Sequence, residues 1–290
     1  MSALVDHFGS RWVEVDVYAE AEHFLWCRRP GPDGPAVFPV RHPHSATDSA
    51  TGVELVAPTV EGPTLTYRVG GPSSAAAWLR RPDPASLDTA LDAVHAAAAA
   101  VQATQGPAEP TAPAPLQRLA AHLTDTDPGA SVSRWRAALR DTLGPDAVMT
   151  LRDTLAEHLG ATTRPCHGGL SIGGIIPSTT TLPTAVLSGE DWGSAAPGHD
   201  LGWLAGELLE LAHSSAPGSA LRGRLTDTVR TLVHSTEHAG GVAAAATLRV
   251  ALHAEDFSHF VGWDDTLRTR AGLLRSLRSD DTWLRTGHLT

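Results

Sequence analysis

The chain has 290 residues, 42% of them hydrophobic, which is enough for a substantial core in one large domain or two smaller ones. Its formal net charge is −10, and all 22 basic residues are arginine. That balance excludes a general binder of nucleic-acid phosphates and a protein that docks on anionic membranes. Without lysine, Schiff-base, Walker-lysine and standard kinase-lysine chemistry are excluded too.

Cys27 and Cys166 are too few for a disulfide framework or a cysteine-rich zinc site. The start, MSALVDHFGSRWVEVDV, has no basic segment leading into an apolar run. No stretch approaches the roughly 18 apolar residues of a membrane span, so a soluble cytoplasmic protein is expected.

In chain order, Val13, Val15 and Val17 alternate with Glu14 and Asp16, the period-2 pattern of a half-buried strand. Short apolar runs at Phe24–Cys27, Ala36–Val40, Val53–Val56 and Leu65–Val69 predict four more strands. They are separated by turn formers at Arg28–Pro35, His42–Gly52 and Ala57–Pro63. One antiparallel sheet of five strands is the expectation. Gly70, Gly71 and Pro72 then break the pattern and divide a β-rich lobe, 1–72, from a helical lobe, 73–290.

A helix is predicted from Ser86 or Asp88 to about Gln105, followed by a proline-dense connector, Gln105–Pro115. Further helices are predicted at Leu116–Leu123, Ser131–Leu143 and Ala147–Leu159. Residues 164–200 differ, being rich in Gly, Pro, Thr and Ser, with short β-like runs at Gly174–Ile176 and Ala185–Leu187. Leu201, Leu204, Leu208 and Leu211 then mark an amphipathic helix, and three more helical segments reach about Ser279. The reading is a bilobal α+β fold.

Three motifs in that segment carry a resemblance: CHGGLSIGGII from Cys166, LSGEDWG from Leu187 and PGHDLGW from Pro197. Together they resemble the aminoglycoside phosphotransferase and choline kinase group, relatives of protein kinases. That group's loop reads H-G-D-x-x-x-x-N, followed by an Asp-Trp metal motif and an Asp-Leu opening a helix. The resemblance implies a small antiparallel β lobe, a larger helical lobe, ATP and Mg²⁺. It places Gly169 at the loop base and Gly174 at the loop metal ligand, where neither has a side chain. Asp191 takes the position of the metal-binding Asp. Arg41 is the cationic candidate for the nucleotide phosphates, in the region of the absent lysine. The nearest glycines to a phosphate loop, Gly31 and Gly34, sit among prolines.

The wording HGGLSIGG, LSGEDWG and DLGWLAGELLEL resembles more narrowly the phosphotransferase-like subunits of class V lanthipeptide and thioamitide pathways. That resemblance implies phosphorylation of Ser or Thr in a precursor peptide, with a partner lyase that eliminates phosphate. His167, Ser171 and Glu190 are the candidates to replace the loop carboxylate, and the residues leave the choice among them open. Two other readings stand beside this one: a catalytically inactive scaffold holding the peptide or the lyase, and a small-molecule kinase of the antibiotic-resistance type.

Other signals have blander readings. Asp200 reads as the N-cap of the following helix or as a residue that holds the catalytic-type loop. His234-Ser235-Thr236-Glu237-His238 fits the inverted zinc-protease pattern H-x-x-E-H, with both histidines on one helical face, but a chance match is favoured. His253, Glu255, Asp256 and His259 read as a solvated helix end. Glu207 and Glu210 read as solvent-facing, and Arg28-Arg29 and Arg80-Arg81 as surface pairs.

Overall fold

The computed structural model describes residues 2–41, 47–48, 51–81, 83–104, 111–161, 163–279 and 283–284. Parts of the His42–Gly52 turn and of the Gln105–Pro115 connector lie outside them. Contacts gather the chain into two compact units. The first is Met1–Pro107 with Leu170–Trp192, and the second is Ala108–Gly169 with Gly193–Thr290.

In the first unit a five-stranded antiparallel sheet has the order β1-β2-β3-β7-β6. Its strands are β1 (Ala3–Gly9), β2 (Val13–Ala19), β3 (Phe24–Pro30), β6 (Thr59–Glu61) and β7 (Thr64–Val69). A second sheet, β4-β5-β10-β9, joins β4 (Thr47–Asp48) and β5 (Val53–Val56) to β9 (Ile175–Ile176) and β10 (Thr184–Leu187). The predicted strand Val53–Val56 therefore exists but lies outside the main sheet, pairing in parallel with β10. The apolar run Ala36–Val40 is not a strand. Pro35 and Pro39 lack the N–H groups a ladder needs, and Phe38 packs into the core from a loop. Alternation explains the main sheet: Val15, Val17, Trp26, Leu65 and Tyr67 point to one face and are buried. Trp26 Nε1 donates to the carbonyl of Gly71 at 3.0 Å.

The helices α1 (Ala75–Leu79) and α2 (Pro84–Ala103) belong to this first unit. The units thus do not divide at Gly70–Pro72. The Ala-rich face of α2 packs on β5, β9 and β10, so the chain stays with the sheet past the Gly-Gly-Pro break. Asp83 caps α2 by accepting from the Ser86 amide at 2.8 Å.

The second unit holds α3 (Ala114–Thr124), α4 (Ala130–Leu143), α5 (Ala147–Gly160) and the strand pair β8 (Arg164–Cys166) and β11 (Gly193–Ala195). It continues with α6 (His199–Ser214), α7 (Ala220–His234), α8 (Ala239–Phe260) and α9 (Thr266–Ser279). The central helix is α8, packed by α3, α4, α5, α6 and α9. At Gly202 a Cβ would collide with the Val242 carbonyl, so only glycine lets α6 approach α8 this closely. Among the described residues no helix is long and apolar enough to cross a membrane.

Candidate functional site

In the first unit the chemistry gathers on the segment Ser188-Gly189-Glu190-Asp191-Trp192, which leaves β10. Arg28 follows Trp26 by two residues on β3 and therefore points the same way, toward the core face. Its Nη1 lies 2.6 Å from Glu190 Oε1, with side chains only 25% and 10% exposed. The Tyr67 hydroxyl donates to the same Glu190 oxygen at 2.8 Å. Burial and then the neighbouring Glu190 charge push the Tyr67 pKa up, so the phenol stays a protonated donor. Burial pulls Arg28 down, but Glu190, Tyr67 and Asp191 outweigh it and hold the guanidinium above its ordinary value. Arg28 is thus no surface cation. Its neighbour Arg29 points the other way, to Glu14 and Asp16 on the outer face.

Arg41 serves the same segment differently. Its backbone N–H donates to the Gly189 carbonyl at 2.8 Å and its Nη1 to the Trp192 carbonyl at 3.2 Å. Arg28 pairs with Glu190, and Arg41 braces the segment's backbone. Gly31 and Gly34 form no phosphate loop. They sit where a Cβ would strike the Arg11 and Trp12 carbonyls. The Gly31 amide donates to the Trp12 carbonyl at 2.9 Å, and Arg11 pairs with Asp33. Ser171, also in this unit, closes a tight turn: its Oγ and its carbonyl both receive the Gly174 amide, at 3.2 and 3.0 Å. Around Gly174 there is room for a side chain, the nearest atom to an added Cβ being Ser171 Oγ at 3.5 Å.

In the second unit the loop after β8 is held from behind. The Asp200 carboxylate accepts the His167 amide at 2.9 Å and the Gly168 amide at 2.8 Å. The α6 N-cap is Gly198, and Asp200 sits in the first turn, so of its two readings the loop-holding one is realised. Gly168 has φ +84°, a left-handed conformation that favours glycine. Its carbonyl faces His199 Nε2 at 3.1 Å, and His199 Nδ1 lies 3.0 Å from His158 Nε2. A carbonyl only accepts, so His199 Nε2 carries the proton and its Nδ1 accepts from His158. Burial and then His199 depress the His158 pKa to about 3, leaving it neutral. His167 is buried, with its Nδ1 3.4 Å from the Gly169 amide.

Cys166, His199 and Asp200 bring possible ligand atoms within 4.8 Å of one another. Their donors are already engaged: both Asp200 oxygens hold loop amides, and both His199 nitrogens are hydrogen-bonded. Burial and then Asp200 push the Cys166 thiol well up, away from the thiolate a metal requires. The trio is a hydrogen-bonded support for the loop.

Glu190 and Asp191 are therefore the predicted site residues that the fold brings together, with Arg28 as a residue that sequence reasoning assigned to the surface. The signal was present in the alternation of Trp26 and Arg28. Ser171 is committed to its turn, and His167 belongs to the other unit.

Three side readings change. His234 ends α7 and His238 is the N-cap of α8, so the H-x-x-E-H residues straddle a helix break instead of sharing a face; Gly240 and Gly241 begin α8. Glu255 is wholly buried and pairs with Trp135 Nε1 at 3.1 Å and Arg136 Nε at 3.5 Å, while Asp256 holds Arg118 and His122. Glu210 joins His253 and Arg270, at 2.7 and 2.5 Å. Glu255 and Asp256 lie inside because α8 is surrounded by helices, and Glu210 because α6 packs on α8.

No protein-family model matches the chain, and neither does any curated protein. Solved structures do. The aminoglycoside phosphotransferase APH(4)-Ia has TM-score 0.53 and 11% identity over 96% of this chain and 93% of that one. A thermostable mutant of it, solved in a ternary complex with ADP and hygromycin B, has TM-score 0.52 and 12% identity, covering 97% of this chain and 95% of that one. The chain has a protein kinase-like fold. Within that phosphotransferase-like fold lie the small antiparallel sheet and the larger helical part. A choline/ethanolamine kinase family protein from Mesorhizobium loti covers 98% of this chain and 90% of that one at 15% identity, with TM-score 0.48. At such identities the likeness is one of fold.

Proposed function

We propose that this chain is the phosphotransferase-like subunit of a peptide-modifying dehydratase. It phosphorylates Ser or Thr of a precursor peptide, using ATP and Mg²⁺, and a partner lyase eliminates the phosphate. The observation that carries the reading is the buried Arg28–Glu190 pair beside Asp191, which sets a cation against carboxylates on the motif segment of a phosphotransferase-like fold. The donor set fits a magnesium nucleotide: Asp191 and Glu190 offer the hard oxygen ligands Mg²⁺ prefers, and Arg28 offers a planar donor for phosphate. The bound metal would neutralise phosphate charge, while Asp200 and His199 keep the His167–Gly169 loop in one conformation.

The peptide as substrate rests on the wording of the HGGLSIGG, LSGEDWG and DLGWLAGELLEL motifs. A small-molecule kinase fits the fold equally well, and Gly169 supplies a base neither for a drug hydroxyl nor for a peptide hydroxyl. The scaffold reading draws on the same glycine.

The test is phosphopeptide mass after incubation with ATP, with and without the lyase, for wild type and Asp191→Asn. Phosphate transfer by wild type and its loss in Asp191→Asn, with an unchanged melt and unchanged lyase pull-down, is expected. Normal dehydration by Asp191→Asn with the lyase, in a protein that binds no magnesium nucleotide, establishes the scaffold reading. Turnover of aminoglycosides or choline establishes the small-molecule kinase.

A further inference from the structure

Arg28 is already neutralised before any ligand arrives. Its Nη1 is 2.6 Å from Glu190, and Tyr67 supplies a second donor to the same carboxylate oxygen. Asp191, the next residue, adds its charge to the field at Arg28. A phosphate chain approaching Arg28 would have to take it from Glu190.

We infer that Glu190 competes with ligand phosphates for Arg28, and that Glu190 releases Arg28 when a divalent cation is present. With the cation, Glu190 exchanges its guanidinium partner for the metal, beside Asp191, and Arg28 becomes free to hold phosphate oxygens. Metal and polyphosphate then bind together, each weakly alone, and Glu190 is the residue that couples them. The inference rests on the reading of the Glu190–Asp191 segment as the phosphate-facing site. It concerns binding and involves no chemical step.

The experiment measures binding by calorimetry, with tripolyphosphate and ADP as separate probes, each in EDTA and in MgCl₂. The proteins are wild type, Glu190→Gln and the double variant Arg28→Gln/Glu190→Gln. In EDTA, Glu190→Gln is expected to bind tripolyphosphate at least about tenfold more tightly than wild type, as removing one competing charge implies. Mg²⁺ is expected to tighten wild-type binding at least about tenfold and Glu190→Gln much less, because the coupling residue is gone. The double variant is expected to lose the gain.

Equal tripolyphosphate affinity of wild type and Glu190→Gln in EDTA overturns the competition. So does a gain that persists without Arg28, which reports net charge alone. If Glu190→Gln melts too early to use, wild type decides by itself: equal affinity in EDTA and MgCl₂ overturns the inference. The tripolyphosphate pattern without ADP binding keeps the competition and removes the nucleotide reading. ADP binding equally tight in wild type and Glu190→Gln in EDTA keeps the nucleotide and removes the competition.

Discussion

Replacing Asp200 by Ala should loosen the loop that follows β8 without disturbing the fold elsewhere. The carboxylate accepts two backbone amides, from His167 at 2.9 Å and Gly168 at 2.8 Å. A hydrogen bond to a charged group contributes about 1.5–3 kcal/mol, so the two together set an upper bound of roughly 3–6 kcal/mol. Asp200 is half-buried, and water entering the space would recover part of the loss, leaving an expected cost of about 2–4 kcal/mol. For a protein of this size that lowers the melting temperature by roughly 5–15 °C. Asp200→Asn keeps one carbonyl oxygen for one amide but turns its NH₂ toward the other, and should fall between wild type and Asp200→Ala. The assay is a thermal melt of all three, with hydrogen exchange read at the His167 and Gly168 amides. Faster exchange at both amides in Asp200→Ala is expected. A melt within about 2 °C of wild type with unchanged exchange would refute the clamp.

The Glu210 cluster predicts an acid-sensitive stability. Burial opposes ionisation, yet His253, Arg249 and Arg270 together bring the Glu210 pKa from 4.5 to about 2. Because the folded value is depressed, its contribution is full above the unfolded value and is lost as pH falls through the folded one. Melting temperature should drop between about pH 4.5 and 2, and Glu210→Gln should flatten that part of the curve; an unchanged slope in the variant would count against the cluster. Two glycines should respond oppositely. Gly202→Leu drives a side chain into the Val242 carbonyl and should cost at least about 2 kcal/mol, whereas Gly174→Asn, with 3.5 Å of clearance, should stay within about 1 kcal/mol by denaturant titration.

Much of the architecture was legible where one physical signal dominated. The alternation of Val13, Val15 and Val17 gave β2, and the leucine stripe from Leu201 gave α6. The first strand was not read, because every residue of Ala3–Gly9 is exposed at a sheet edge and no burial pattern marks it. The apolar run Ala36–Val40 misled because apolar content reports burial and says nothing of missing amide donors. Glu190 and Asp191 were singled out through their motif, but Arg28 was not. Its inward direction follows from Trp26 two residues earlier, yet the carboxylate that makes burial tolerable lies far along the chain. Glu210 and Glu255 show the same limit: a charged residue reads as solvent-facing until its arginine and histidine partners on other helices are known.

The parallel pairing of β5 with β10 has a consequence for how the chain is made. The first unit is discontinuous: it needs Leu170–Trp192, which follow an intervening stretch, Ala108–Gly169, that belongs to the other unit. While the chain leaves the ribosome, β5 has an open edge until β10 emerges, and closing that long loop carries an entropic cost that local hairpins such as β2–β3 avoid. The sheet of β1, β2, β3, β6 and β7 can assemble early, whereas Glu190 reaches Arg28 only after nearly two thirds of the polypeptide has been synthesised. Assembly of the ion pair therefore reports completion of the first unit, and a nascent chain arrested before Thr184 would expose β5 to pairing with other strands.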